Sequence, residues 1–82
     1  MTDTRLTATL FAKAGCGACR KVDVQQLATR YKLGVVDVAT PKGMADAMYY
    51  GLAGTWPTLI LHSSGRWRAH VGLDAIRKLL QE

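Results

Sequence analysis

Both cysteines of this chain fall in one short stretch, Gly15-Cys16-Gly17-Ala18-Cys19-Arg20. An apolar run that reads as a strand precedes it, and an amphipathic run that reads as a helix follows. Two thiols separated by two residues, where a strand hands over to a helix, form the arrangement that a reversible dithiol/disulfide needs. Unpaired backbone N–H groups and the positive end of the helix dipole stabilise a thiolate at a helix start, so Cys16 is the expected nucleophile. Cys19 falls one turn further along the same face, within reach of Cys16 but screened by the helix. It is the expected resolving thiol.

The rest of the chain can be read around this junction. Leu6 to Ala12 alternates apolar residues with threonine and then becomes continuously apolar, as a strand does on entering the middle of a sheet. Lys13-Ala14-Gly15 is a turn, and one helix is expected from Cys16 to Tyr31, with Val24, Leu27, Ala28 and Tyr31 at helical spacing. Lys32, Leu33 and Gly34 should end it, glycine being the usual residue past a helix C-terminus. Val35 to Val38 reads as strand two, and strand, helix, strand at this spacing is a right-handed parallel crossover. Thr40 and Pro41 supply an N-cap and a first helical residue for a second helix, to about Tyr50, which Gly43 should weaken. A loop, Gly51 to Pro57, leads into strand three, Thr58 to His62. Ser63-Ser64-Gly65 turns the chain into strand four, Arg66 to Val71, as an antiparallel hairpin. Gly72-Leu73-Asp74 opens the last helix with aspartate as the expected N-cap, and Leu73, Ile76, Leu79 and Leu80 form its apolar stripe. The fold class is α/β, in the order βαβαββα, with a four-stranded mixed sheet and helices on both faces.

At 82 residues the chain is expected to be a single domain with one hydrophobic interior. Two cysteines make no disulfide framework of the secreted type. The polar start, Met1 to Arg5, leads into an apolar run too short for a signal segment or a membrane span, so a soluble, cytoplasmic protein is expected. The formal charge of +5 is spread from Arg5 to Lys78 without a long basic run, which argues against nucleic acid as a partner. Arg66-Trp67-Arg68 could stack on a base, but it fits the outer face of an edge strand, where charge discourages sheet-to-sheet pairing. The positive balance suits steering of acidic partners or anionic thiols.

The C-x-x-C after strand one and Thr55-Trp56-Pro57 just before strand three, in this element order, resemble the thioredoxin-like superfamily in its short, glutaredoxin-like form. The resemblance covers nearly the whole chain. It implies a small thiol–disulfide oxidoreductase in which Cys16, Cys19 and Pro57 form the catalytic centre, with Pro57 cis and facing the cysteine pair. It further implies that Thr55 and Trp56 bind substrate, Trp56 offering its backbone to an incoming peptide or thiol. Lys13 matches a lysine that glutaredoxins place three residues before the first cysteine. His70-Val71-Gly72 and Asp74 resemble the stretch that binds the γ-glutamyl end of glutathione, which adds Gly72 and Asp74 to the substrate-binding set. No bound cofactor is implied, glutathione being a co-substrate at most. The expected partners are disulfide-containing client proteins and an electron donor, and the expected state is a monomer with no membrane or nucleic-acid partner.

The chain also departs from the pattern. Gly17-Ala18 stands where glutaredoxins usually carry Pro-Tyr and thioredoxins Gly-Pro. Gly15 replaces the thioredoxin tryptophan, and Leu10 stands in strand one where thioredoxin has a buried acid. The resemblance therefore leaves glutathione and a protein reductase both open as electron donor. A glycine before C-x-x-C also resembles the loop of small copper-chaperone domains, so a metal-binding (copper or zinc) or redox-sensing module without turnover is the alternative. Against it, those domains are βαββαβ and end in a strand. His62 and His70, the only histidines, lack the spacing of a compact zinc site, and no metal ligand is assigned.

Overall fold

The structure is a computed structural model that describes residues 4–52 and 54–82. Met1, Thr2 and Asp3 of the polar start, and Ala53 of the loop before strand three, lie outside the described residues. Strands β1 (Thr7–Ala12), β2 (Lys32–Asp37), β3 (Thr58–Ser63) and β4 (Arg66–Val71) form one sheet in the order β2-β1-β3-β4. β1 and β2 run parallel, while β1 with β3 and β3 with β4 are antiparallel. This is the mixed α/β sheet expected from the element order. No helix among the described residues is long and apolar enough to cross a membrane.

The side-chain period of two divides the central strands between two apolar layers. Ala8 and Leu10 of β1 and Leu59 of β3 point to one face, where they pack with Leu27 and Tyr31 and with Ile76 and Leu79. Those partners come from helix α2 (Val24–Arg30), its C-cap, and helix α4 (Leu73–Leu80). Phe11 and Ile60 point to the other face and pack with Val38, Leu52 and Ala47 of helix α3 (Pro41–Tyr49). Strands covered on both faces need near-continuous apolar sequence, which explains the run in β1 and β3.

The expected single helix from Cys16 to Tyr31 is instead two, α1 (Gly17–Arg20) and α2, separated at Lys21-Val22-Asp23. Asp23 causes the restart, because its carboxylate accepts from the Gln26 N–H at 3.0 Å and caps the second helix. Val22 at the break is buried in the core. Gly34 does not end this helix: Tyr31 is already extended (φ −131°, ψ 157°), and β2 begins three residues earlier than the β-branched run, at Lys32. Pairing with β1 overrides local propensity here, with Thr7 opposite Lys32 and Thr9 opposite Gly34. Asp74 is likewise not the cap of α4; Gly72 holds that position at φ +90°, and Asp74 sits in the first turn, where its charge complements the helix end.

Thr40 caps α3 as expected, accepting from the Gly43 N–H at 3.0 Å while its hydroxyl donates to the Asp37 carbonyl at 2.8 Å. Gly43 therefore does more than weaken the helix. A Cβ there would collide with the Asp37 carbonyl oxygen and lie 2.9 Å from Thr40 Oγ1. Gly43→Ala is expected to lower stability by at least ~2 kcal/mol, through overpacking against backbone. Gly34→Ala, with open space around the added methyl, should be neutral or stabilising by up to ~1 kcal/mol. Thermal unfolding followed by circular dichroism checks this, and equal midpoints would mean that α3 can slide away from Asp37.

Candidate active site

β1 ends at Ala12, and Lys13-Ala14-Gly15 carries the chain off the sheet. The Cys16 N–H donates to the Lys13 carbonyl at 3.2 Å to close the turn, and Gly15 adopts φ +82°, a region that glycine enters without steric cost. Cys16 is then extended (φ −81°, ψ 117°) and serves as the N-cap of α1. Its sulfur occupies the place that a serine or aspartate oxygen usually takes, and it accepts from the Cys19 N–H at 3.2 Å. Because α1 has only four residues, its macrodipole is small. The thiolate is held by individual donors rather than by a long helix.

The two sulfurs sit in different surroundings although both are free thiols and both half-buried. A hydrogen bond from the Cys19 thiol lowers the Cys16 pKa most, followed by the Cys19 N–H; the Ala18 N–H and the Lys13 charge add to this, while burial opposes it. Cys19 is shifted up, first by burial and then by the hydrogen bond it gives to Cys16. No carboxylate contributes to either shift among the described residues. The first proton to leave the pair therefore comes from Cys16, and the second is held on Cys19.

The second wall comes from the start of β3. Cys16 Sγ lies 3.9 Å from the Trp56 carbonyl oxygen, and the Trp56–Pro57 peptide is cis. The Pro57 ring is fully buried, and Trp56 packs half-buried against the Phe11 side of the core. The segment is fixed from both sides. The Gly72 N–H donates to the Pro57 carbonyl at 2.8 Å, and the buried Thr58 hydroxyl donates to the Thr55 carbonyl. Thus Lys13, Cys16, Cys19, Trp56 and Pro57 come together, with Gly72 as a backbone support. Asp74 is exposed and forms no hydrogen bond to the thiols or to Trp56-Pro57 among the described residues. The Trp56 carbonyl as a neighbour of the sulfur, and Thr58 as an anchor, were not foreseen; a threonine opening an apolar strand was the available signal for the second.

No protein-family model and no curated protein matches the sequence. Solved structures do match. The C-terminal domain of DsbD from Neisseria meningitidis, in the oxidised form, superimposes with a TM-score of 0.67 over 94% of this chain and 76% of that one, at 21% identity. The fold is thioredoxin-like. A thioredoxin from Thermus thermophilus gives a TM-score of 0.60 over 94% of this chain and 72% of its own, at 22% identity. One from Trypanosoma brucei brucei gives 0.60 over 100% and 80%, at 19% identity. At these identities the likeness is one of fold, and the thioredoxin-like arrangement is what brings the start of β3 to the end of β1.

The order of causes behind the Cys16 shift is testable. Iodoacetamide alkylation of Cys16 should follow a pH profile with its midpoint below the free-thiol value of about 8.5. Cys19→Ala, which removes the largest cause, should move that midpoint up further than Lys13→Ala, which removes the smallest. The reverse order would make the lysine charge, not the thiol hydrogen bond, the source of the thiolate.

Proposed function

We propose that this protein is a thiol–disulfide oxidoreductase that cycles Cys16 and Cys19 between dithiol and disulfide. The observation that carries the reading is the split between the two sulfurs, a lowered thiol at Cys16 and a raised, more buried one at Cys19, beside the Trp56–Pro57 wall. The Cys16 thiolate attacks one sulfur of a substrate disulfide, forming a Cys16–substrate disulfide and releasing the other sulfur as a thiolate. Cys19 then loses its proton to water and attacks Cys16 Sγ, which expels the second substrate thiolate and leaves the Cys16–Cys19 disulfide. Two electrons pass from the cysteine pair to the substrate. With Leu10 in place of an acid, deprotonation of Cys19 limits the second step, which therefore quickens as pH rises.

In this reading the Trp56 backbone receives an extended client, Thr55 flanks it, and Lys13 meets its negative charge. The clients are disulfide-containing proteins, the donor that restores the dithiol is glutathione or a protein reductase, and the chain works as a cytoplasmic monomer. A metal-carrying role would have to rest on the two thiolates, because the described residues contain no group of three or more His, Cys, Asp or Glu able to hold a metal ion.

Cys19→Ser is expected to accumulate mixed disulfides with thiol partners, and Cys16→Ser to form none, as read by non-reducing mass spectrometry. Equal trapping by both would overturn the assignment of roles. Titration against glutathione reads whether the couple lies near about −270 mV, as for thioredoxin, or near about −180 mV, as for the isomerases. Stoichiometric copper or zinc in protein purified without chelator, with no reductase activity, would instead establish the metal-carrying role.

A further inference from the structure

The far end of the sheet from the cysteines carries a second feature. Cα partners across an antiparallel pair share a face, so Leu59 with His70, Leu61 with Arg68, and Ser63 with Arg66 put His70, Arg68 and Arg66 on the α4 side of the sheet. α4 does not cover them all. Its eight residues span about 12 Å, whereas the six of β4 span about 20 Å. Where the helix runs out, a cleft of about 540 Å³ remains, within the size range of small-molecule sites. Leu6, Leu61 and Leu79 give it an apolar lining, and Arg66, Arg68 and His70 supply its polar groups.

These polar groups lack partners among the described residues. Neither Arg66 nor Arg68 makes an ion pair or a side-chain hydrogen bond among the described residues. His70 Nε2 is buried with no hydrogen-bond partner among the described residues, and buried ring nitrogens are normally satisfied. Among the described residues Glu82 is the single carboxylate side chain lining the cleft, and it leaves the balance positive. Burial first, and Arg68 second, hold the His70 imidazole below its ordinary range, with Glu82 acting the other way, so the ring is neutral at pH 7 and can hydrogen-bond without adding charge.

We propose that this cleft binds a small amphipathic carboxylate, its apolar body on Leu6, Leu61 and Leu79 and its carboxylate between Arg66, Arg68 and His70 Nε2. Guanidinium groups pair with carboxylates through parallel N–H bonds, and a leucine lining favours an aliphatic body over a bare inorganic anion. The site is separate from the redox pair. Cys16 and Cys19 follow the C-terminal end of β1, whereas Leu6 precedes its N-terminal end.

Octanoate is the probe, with octanol as its uncharged counterpart, titrated into the intact reduced protein and followed by amide and histidine-ring NMR. Saturable shifts confined to Leu61, Arg66 to His70 and Leu79 are expected, with octanoate binding at least tenfold tighter than octanol. Arg68→Glu, an exposed change that leaves the core intact, should weaken octanoate at least tenfold. His70→Phe, which keeps an aromatic ring but removes both ring nitrogens, should weaken it at least threefold. Alkylation of Cys16 should be unchanged in both variants. Octanol binding as tightly as octanoate, shifts centred elsewhere, or full affinity in Arg68→Glu would overturn the proposal and leave the arginines as edge-strand protection.

Discussion

The antiparallel pairing of β1 with β3 is the interaction on which the site depends. It sets Phe11 opposite Thr58 and Leu10 opposite Leu59, so the residues after β1 and those before β3 emerge at one edge of the sheet. The cysteine turn is the first of these segments and Trp56-Pro57 the second. Neither has a reason to meet the other except through this register. A slip of one residue would turn Leu59 and Ile60 to the wrong faces and break both apolar layers, so packing enforces the alignment of the site.

Supports around the site follow from the same register. β4 pairs with β3 through Thr58 and Val71, which brings the Gly72 N–H to the Pro57 carbonyl. The positive φ that lets Gly72 turn the chain there also starts α4. One glycine thus links the wall of the candidate site to the helix that closes the core. Among the described residues the opposite end of β3 and β4 has no such closure, and a partly apolar, positively charged cleft lies between the hairpin and the end of α4.

Chemistry at the pair comes from asymmetry over a short distance. Cys16 is a cap residue with donors directed at it, while Cys19 has α1 around it and is more deeply placed. The hydrogen bond between them acts on both in opposite senses, lowering one thiol and raising the other. A lysine nearby adds little, since a solvated charge is screened where a direct hydrogen bond is not.

Much of this was legible before the fold was known. Apolar alternation located the strands, Thr40-Pro41 located α3, and the C-x-x-C with Thr55-Trp56-Pro57 pointed to the cysteine pair, because these are local signals carried by residue type and spacing. The break at Val22 and Asp23, the early start of β2 at Lys32, and the cap at Gly72 rather than Asp74 were not legible. Each depends on a partner distant in the chain, such as the core around Val22, Thr7 opposite Lys32, or the Pro57 carbonyl. The sequence by itself determined the four strands, the helices α3 and α4 and the two-residue spacing of the thiols. Only the tertiary structure decided that Cys16 lies against the Trp56 carbonyl, that Gly72 and not Asp74 caps α4, and that Arg66, Arg68 and His70 share a cleft, because strand register and helix length, not local propensity, set those positions.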